Sequence, residues 1–117
     1  MDKELALYIV THFDILLTGR ERLGLKQLRH QYVIEESSDK HDADRKIQLY
    51  KKIGWLTEDK EILELVKGGK DALDQMIAER IMAEHAGDVF INNCPNCVRL
   101  ARTPLAKQCR HCGHSWR

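Results

Sequence analysis

The sequence predicts a mainly α fold, in which an N-terminal bundle of about five helices over residues 1–87 is followed by a small β module over residues 88–117. Three observations favour this division. The first 94 residues contain no proline and are rich in Leu, Ile, Glu, Lys and Arg, as helices are. Apolar side chains recur there at spacings of three and four residues. All four cysteines come later, in two pairs.

The five helices are predicted from apolar stripes on one helical face. The first three are expected to span residues 2–17, 25–34 and 43–53, with Asp42 as the N-cap of the third and Gly54 as its stop. A short fourth helix opens at the capping turn 57–60 and ends at Gly68-Gly69. The longest covers residues 70–84. We expect the apolar stripes to form an ordinary hydrophobic core rather than a cofactor pocket.

The pattern changes after Gly87. Residues 89–91 are a short apolar run typical of a strand. Residues 98–102 alternate apolar and basic side chains, as a half-exposed strand does. Thr103-Pro104 is expected to form the turn that follows. The sequence therefore predicts two short strands beside the cysteines.

The cysteines have the pattern C-x2-C-x11-C-x2-C, and its members are Cys94, Cys97, Cys109 and Cys112. Two residues between paired cysteines let both sulfurs face one centre, so that two pairs complete a tetrahedron. A module of 29 residues is too small to fold on its core alone, and a metal supplies the missing stability. Four thiolates also fill the shell of a zinc ion. We therefore expect one structural Zn²⁺ and no catalytic water on it.

Three alternatives to this zinc site are weaker. Iron also takes four thiolates. A redox dithiol needs only one pair and usually lies in a βαβ unit, which is not predicted here. His111 and His114 flank the fourth cysteine and could replace a thiolate, but with four cysteines in register they are expected to be exposed or to hydrogen-bond around the ligands.

The segments Cys94-Pro-Asn-Cys97 and Cys109-Arg-His-Cys112-Gly113 resemble the two knuckles of zinc-ribbon, rubredoxin-like modules. The resemblance covers about a quarter of the chain, and it departs from the common pattern in having Val98 where a glycine often follows the first pair. It implies a module that holds proteins or nucleic acids, with no single activity attached. The whole chain is similar to small bacterial proteins that end in such a ribbon.

Charge is unevenly distributed along the chain. Fourteen basic and 18 acidic residues precede Val89, whereas the remaining 29 residues contain no acidic one and five basic ones: Arg99, Arg102, Lys107, Arg110 and Arg117. A basic ribbon could track phosphates. It could equally dock on the acidic helical part, and this second interpretation is favoured.

No catalytic constellation can be assembled from the sequence. Gly68-Gly69-Lys70 lacks the residues of a phosphate-binding loop, and His41-Asp42 is a lone pair in a polar loop. The leading hypothesis is therefore a non-enzymatic zinc protein whose ribbon and helical domain bind another protein. Nucleic-acid binding is the alternative, and self-association as a homodimer also stays open. Without an export signal or a membrane-spanning run, we expect a cytoplasmic protein that does not engage membranes.

Overall fold

The computed structural model of the chain describes residues 1–116. Five α-helices follow one another: α1 (Lys3–His12), α2 (Gly19–Glu35), α3 (Lys40–Lys52), α4 (Lys60–Leu65) and α5 (Gly69–His85). Short 3-10 helices lie at Asp14–Leu16 and Ala86–Asp88. The mainly helical fold predicted from the sequence is thus confirmed.

The chain forms two compact units. One contains residues 1–17 together with the part of the chain after Leu73, and the other contains residues 18–73. The sequence-based domain boundary between residues 87 and 88 lies inside the first unit and stays a prediction.

In the first unit, α1 and the second half of α5 supply the buried apolar side chains, which are Ala6, Ile9, Val10, Ile77, Ala78 and Ile81. Two polar contacts also join these segments. The Arg80 guanidinium donates to the Leu16 carbonyl at 2.8 Å. The N-terminal ammonium lies 3.7 Å from a Glu79 carboxylate oxygen.

In the second unit, α2 contacts both α3 and α4. Gly24 of α2 lets α4 and the start of α5 come close, because a Cβ at this position would lie 3.3 Å from methyl groups of Leu65 and Leu73. The Gln27 side chain is buried and accepts a hydrogen bond of 2.9 Å from the Thr57 amide. This small residue at a helix crossing, tied in place by the glutamine beside it, fixes how the short helices pack.

The first two helices differ from their predicted bounds. The apolar stripe predicted one helix through Leu17, but α1 ends at His12 and α2 already begins at Gly19. Thr18 starts α2 with a capping box, since its side chain accepts from the Glu21 amide and the Glu21 carboxylate accepts from the Thr18 amide. This local capping signal determines the break, and the apolar spacing alone does not show it.

The later helices follow the prediction more closely. α3 begins three residues earlier than expected because Asp39, not Asp42, caps it. α4 opens after the predicted capping turn, with Asp59 accepting from the Glu61 amide. α5 matches its predicted range within one residue at each end.

The β ribbon predicted for the C-terminal module is not formed as a sheet within residues 1–116. Residues 89–91 form no strand, and the segment 98–102 contributes only a single bridge. The described part contains two isolated antiparallel bridges, Asn93 with Leu100 and Gln108 with Ser115. The reason is local, because each cysteine pair bends the chain into a tight turn before a second ladder bond can form.

Across residues 1–116, no helix has both the length and the apolar character needed to cross a membrane.

Candidate metal centre

The four predicted cysteines come together in space. The sulfur atoms of Cys94, Cys97, Cys109 and Cys112 all lie within 4.8 Å of one another. The Sγ atoms of Cys94 and Cys112 are 3.7 Å apart, and those of Cys97 and Cys109 are 3.5 Å apart. Four sulfurs placed about 2.3 Å from one ion at tetrahedral angles are separated by about 3.8 Å. The cluster therefore has the dimensions of a tetrathiolate metal site and could hold a metal ion.

Each cysteine pair lies in a turn that directs backbone amides at the first sulfur. In the first cysteine turn (residues 93–100), the amides of Asn96 and Cys97 both donate to Cys94 Sγ at 3.4 Å. In the second cysteine turn (residues 108–115), the amides of His111 and Cys112 donate to Cys109 Sγ at 3.3 and 3.4 Å. Such N–H groups stabilise negative charge on a thiolate and fix its direction.

The two cysteine turns are copies of one backbone motif, displaced by 15 residues along the chain. In both, the first cysteine amide donates 2.8 Å to the carbonyl five residues later, which belongs to Arg99 or His114. The fifth residue of the motif has a positive φ in both, 67° at Val98 and 77° at Gly113. Glycine adopts this conformation freely, whereas a β-branched side chain does not. The first cysteine turn therefore carries backbone strain that the second lacks.

The electrostatics of the cluster favour a mixture of thiol and thiolate. The backbone amide of His114, and then the side chain of Asn96, lower the pKa of Cys112 to about 6. The pKa of Cys109 is also lowered, chiefly by the Cys112 amide. The Arg99 amide lowers the pKa of Cys97, but burial and the three neighbouring sulfurs raise it to about 11. Four sulfurs this close cannot all ionise on their own, and a bound cation would remove the remaining protons.

Helix α1 anchors the start of the module. The Tyr8 hydroxyl donates to the Phe90 carbonyl at 2.7 Å and accepts from the Asn92 amide at 3.3 Å. Burial raises the pKa of Tyr8, and the Asn92 amide partly offsets this effect. One turn away, Arg110 forms an ion pair with Glu4. This pair agrees with the expectation that basic residues of the module dock on acidic helical ones.

Asn92 is a structural residue that sequence reasoning missed. Its side chain is buried, and its Nδ2 group donates to the carbonyls of Thr103, Pro104 and Ala106 at 3.0, 3.4 and 2.9 Å. It thus fixes the loop that joins the two cysteine turns. Asn-Asn before a cysteine was the only available signal, and it gives no indication of burial.

The remaining residues singled out from the sequence lie outside the cluster. His111 and His114 are exposed, and the cluster found within residues 1–116 consists of cysteines alone. Arg99, Arg102 and Lys107 are exposed, and Arg117 lies outside the described residues. Gly68-Gly69-Lys70 connects α4 to α5 and opens the latter, and His41-Asp42 lies in the first turn of α3.

Comparison of the chain with protein-family models, with curated proteins and with solved structures finds no match. The geometry of the cysteine cluster therefore carries the functional argument by itself.

Proposed function

We propose that this chain is a non-enzymatic zinc protein in which Cys94, Cys97, Cys109 and Cys112 hold one structural Zn²⁺. One observation carries the proposal: the four sulfurs already lie at the mutual distances of a tetrahedral shell. Zinc is favoured over iron because the module lacks the aromatic core of iron-binding rubredoxins. Four thiolates leave no coordination position for a reacting water, so the ion organises the zinc ribbon and does no chemistry.

Metal analysis of the purified protein tests this assignment. We expect about one zinc per chain for the wild type and a large loss for Cys109→Ser, because a missing ligand weakens a site whose folding depends on the metal. His111→Ala and His114→Ala are matched controls, since both side chains are exposed beside the ligands, and both variants should keep the zinc. Purified wild type that is fully folded without any transition metal would end the proposal.

We further propose that the zinc ribbon and the helical domain bind another protein, in a reducing compartment such as the cytoplasm. Exposed apolar side chains on the ribbon support this, since Leu105 is 88% exposed and Val98 is 72% exposed. Such side chains contribute little to folding but gain free energy when a partner covers them. They offer contacts of the kind a protein partner uses.

A tagged pull-down from the native cell tests the partner hypothesis. A partner captured by wild type should be lost with Cys109→Ser and weakened by Leu105→Ser, which keeps its zinc. Ile15→Ser is the matched control, because Ile15 is an equally exposed apolar residue (82%) outside the ribbon. Equal capture by all of these variants would show that the ribbon does not take part.

Nucleic-acid binding is the second candidate, and a different observation favours it. Arg99, Arg102 and Lys107 are exposed, and residues 89–117 contain no carboxylate side chain to neutralise them. A single-stranded DNA or RNA probe should then bind with an affinity that falls steeply as salt increases. Lys107→Glu should weaken that binding at constant salt. No binding at low ionic strength would exclude this candidate.

A further inference from the structure

The four sulfurs differ sharply in their access to solvent. Cys94 and Cys109 are buried, with 1% and 3% of their surfaces exposed, and Cys97 is half-buried. Cys112 alone among them is exposed. A small reagent in solution can therefore reach the cluster most easily through Cys112.

The exposed sulfur also has a buried partner at close range. Cys94 Sγ lies 3.7 Å from Cys112 Sγ, and the second short pair, Cys97 with Cys109, is separated by 3.5 Å. Both pairs join one cysteine turn to the other. A disulfide between such partners requires the sulfurs to approach by less than 2 Å, to about 2.05 Å.

We propose that Cys112 is an oxidation site through which a hydroperoxide converts the metal centre into a disulfide and releases the ion. This inference rests on the proposed zinc site. The Cys112 thiolate attacks one peroxide oxygen, the O–O bond breaks, and the products are Cys112 sulfenic acid and hydroxide. The Cys94 thiolate then attacks Cys112 Sγ, an S–S bond forms and a second hydroxide leaves.

The electron count of this step is closed. Two thiolates lose two electrons in total, and the peroxide gains them as its oxygens become two hydroxide ions. The ion is left with only Cys97 and Cys109 as ligands. Zinc held by two thiolates dissociates far more readily than zinc held by four, so the metal leaves the site. Because the new disulfide joins the two cysteine turns, a reductant can restore the site without reassembly from separated halves.

The zinc-loaded full chain, titrated with hydrogen peroxide, tests this inference. A chromogenic indicator measures released zinc, and tryptic peptide mapping after alkylation locates the oxidised sulfurs. Trypsin cleaves after lysine and arginine, so Cys112 falls in peptide 111–117, Cys109 in peptide 108–110, and Cys94 with Cys97 in peptide 81–99. The three peptides separate the competing disulfides.

We expect zinc release to parallel the appearance of peptide 81–99 linked to peptide 111–117, with fragmentation placing the link at Cys94. With limiting iodoacetamide, Cys112 should be alkylated about tenfold faster than Cys109. A link between peptides 108–110 and 111–117, or earlier modification of peptide 81–99, would overturn the inference. So would zinc retention at excess peroxide.

A variant pair tests the role of access without removing a ligand. The Asn96 side-chain amide lies 3.7 Å from Cys112 Sγ, whereas exposed Asn93 contributes only its backbone to the first cysteine turn. Asn96→Ala should accelerate peroxide-driven zinc release about two- to fivefold, because a hydrogen bond to the attacked sulfur is lost. Asn93→Ala should match the wild type. Equal rates for the two variants would contradict attack at Cys112.

Failure of this inference is distinguishable from failure of the proposed function. If the purified chain binds no zinc, the metal site itself is wrong and the inference falls with it. If zinc is present at one ion per chain but the peroxide reaction follows another cysteine, only the inference fails.

Discussion

The side chain of Asn92 is expected to contribute more to the metal module than any other residue that does not bind the ion. Asn92→Ala removes two N–H donors that satisfy the carbonyls of Thr103 and Ala106 at 3.0 and 2.9 Å, with Pro104 as a weaker third acceptor. Each such bond contributes about 1 kcal/mol net, so we expect a loss of about 2 kcal/mol. Asn92→Asp should cost more, because a carboxylate would face those carbonyls with no donor of its own.

Zinc affinity is the appropriate assay, because folding of this small module is expected to be coupled to metal binding. A loss of about 2 kcal/mol corresponds to about 30-fold weaker zinc binding, which competition with a chromophoric chelator resolves. Asn93→Ala is the matched control, since Asn93 is exposed and no side-chain hydrogen bond is found for it within residues 1–116. If Asn92→Ala binds zinc within twofold of Asn93→Ala, the three-carbonyl clamp is not a significant source of stability.

Three further predictions follow from the backbone, from a titrating group and from a helix cap. Gly113→Val should weaken zinc binding several-fold in the same chelator assay, because the φ of 77° at this position costs a β-branched residue about 1–2 kcal/mol; Val98→Asn should be neutral or tighter, since asparagine tolerates the φ of 67° found there. Burial raises the pKa of Tyr8, so the folded chain favours the protonated phenol; its stabilising contribution is present below the ordinary pKa near 10 and is lost as pH rises toward the raised value. Urea unfolding at pH 8 and pH 10.5 should therefore show a larger loss for wild type than for Tyr8→Phe, and equal losses would refute this assignment. Thr18→Ala removes the capping box of α2 and should lower the free energy of unfolding by about 1 kcal/mol, measured by urea denaturation monitored at the helical circular dichroism band, while no change would show that the cap is dispensable.

Local signals explain where sequence reasoning succeeded and where it failed. Asp59 and the Gly68-Gly69 pair define α4 almost by themselves, because an N-cap and a glycine break act on the nearest turn of backbone. The end of α1 was missed because an apolar stripe continues through residues that do not form a helix. The capping box at Thr18 was a readable signal, and giving it precedence over periodicity would have placed the start of α2 correctly.

The metal ligands were predictable and their surroundings were not. The cysteine spacing alone brings Cys94, Cys97, Cys109 and Cys112 to one centre, because two short loops leave the sulfurs few other directions to face. The strands expected beside them reduce to two bridges, since the same tight turns that direct the sulfurs leave no room for a ladder. Strand propensity at Val89-Phe90-Ile91 had no partner strand to pair with.

By itself the sequence determined the helical class of the chain and the identity of the four ligands, because both depend on contacts between residues that are near neighbours along the backbone. Tertiary structure alone decided that Tyr8 of α1 meets Asn92 from 84 residues away, and that Cys112 is exposed while Cys94 and Cys109 are buried. Burial and long-range hydrogen bonds are properties of the whole packed arrangement, and residue spacing carries no information about them. The anchoring of the module and its proposed site of oxidation both depend on that arrangement.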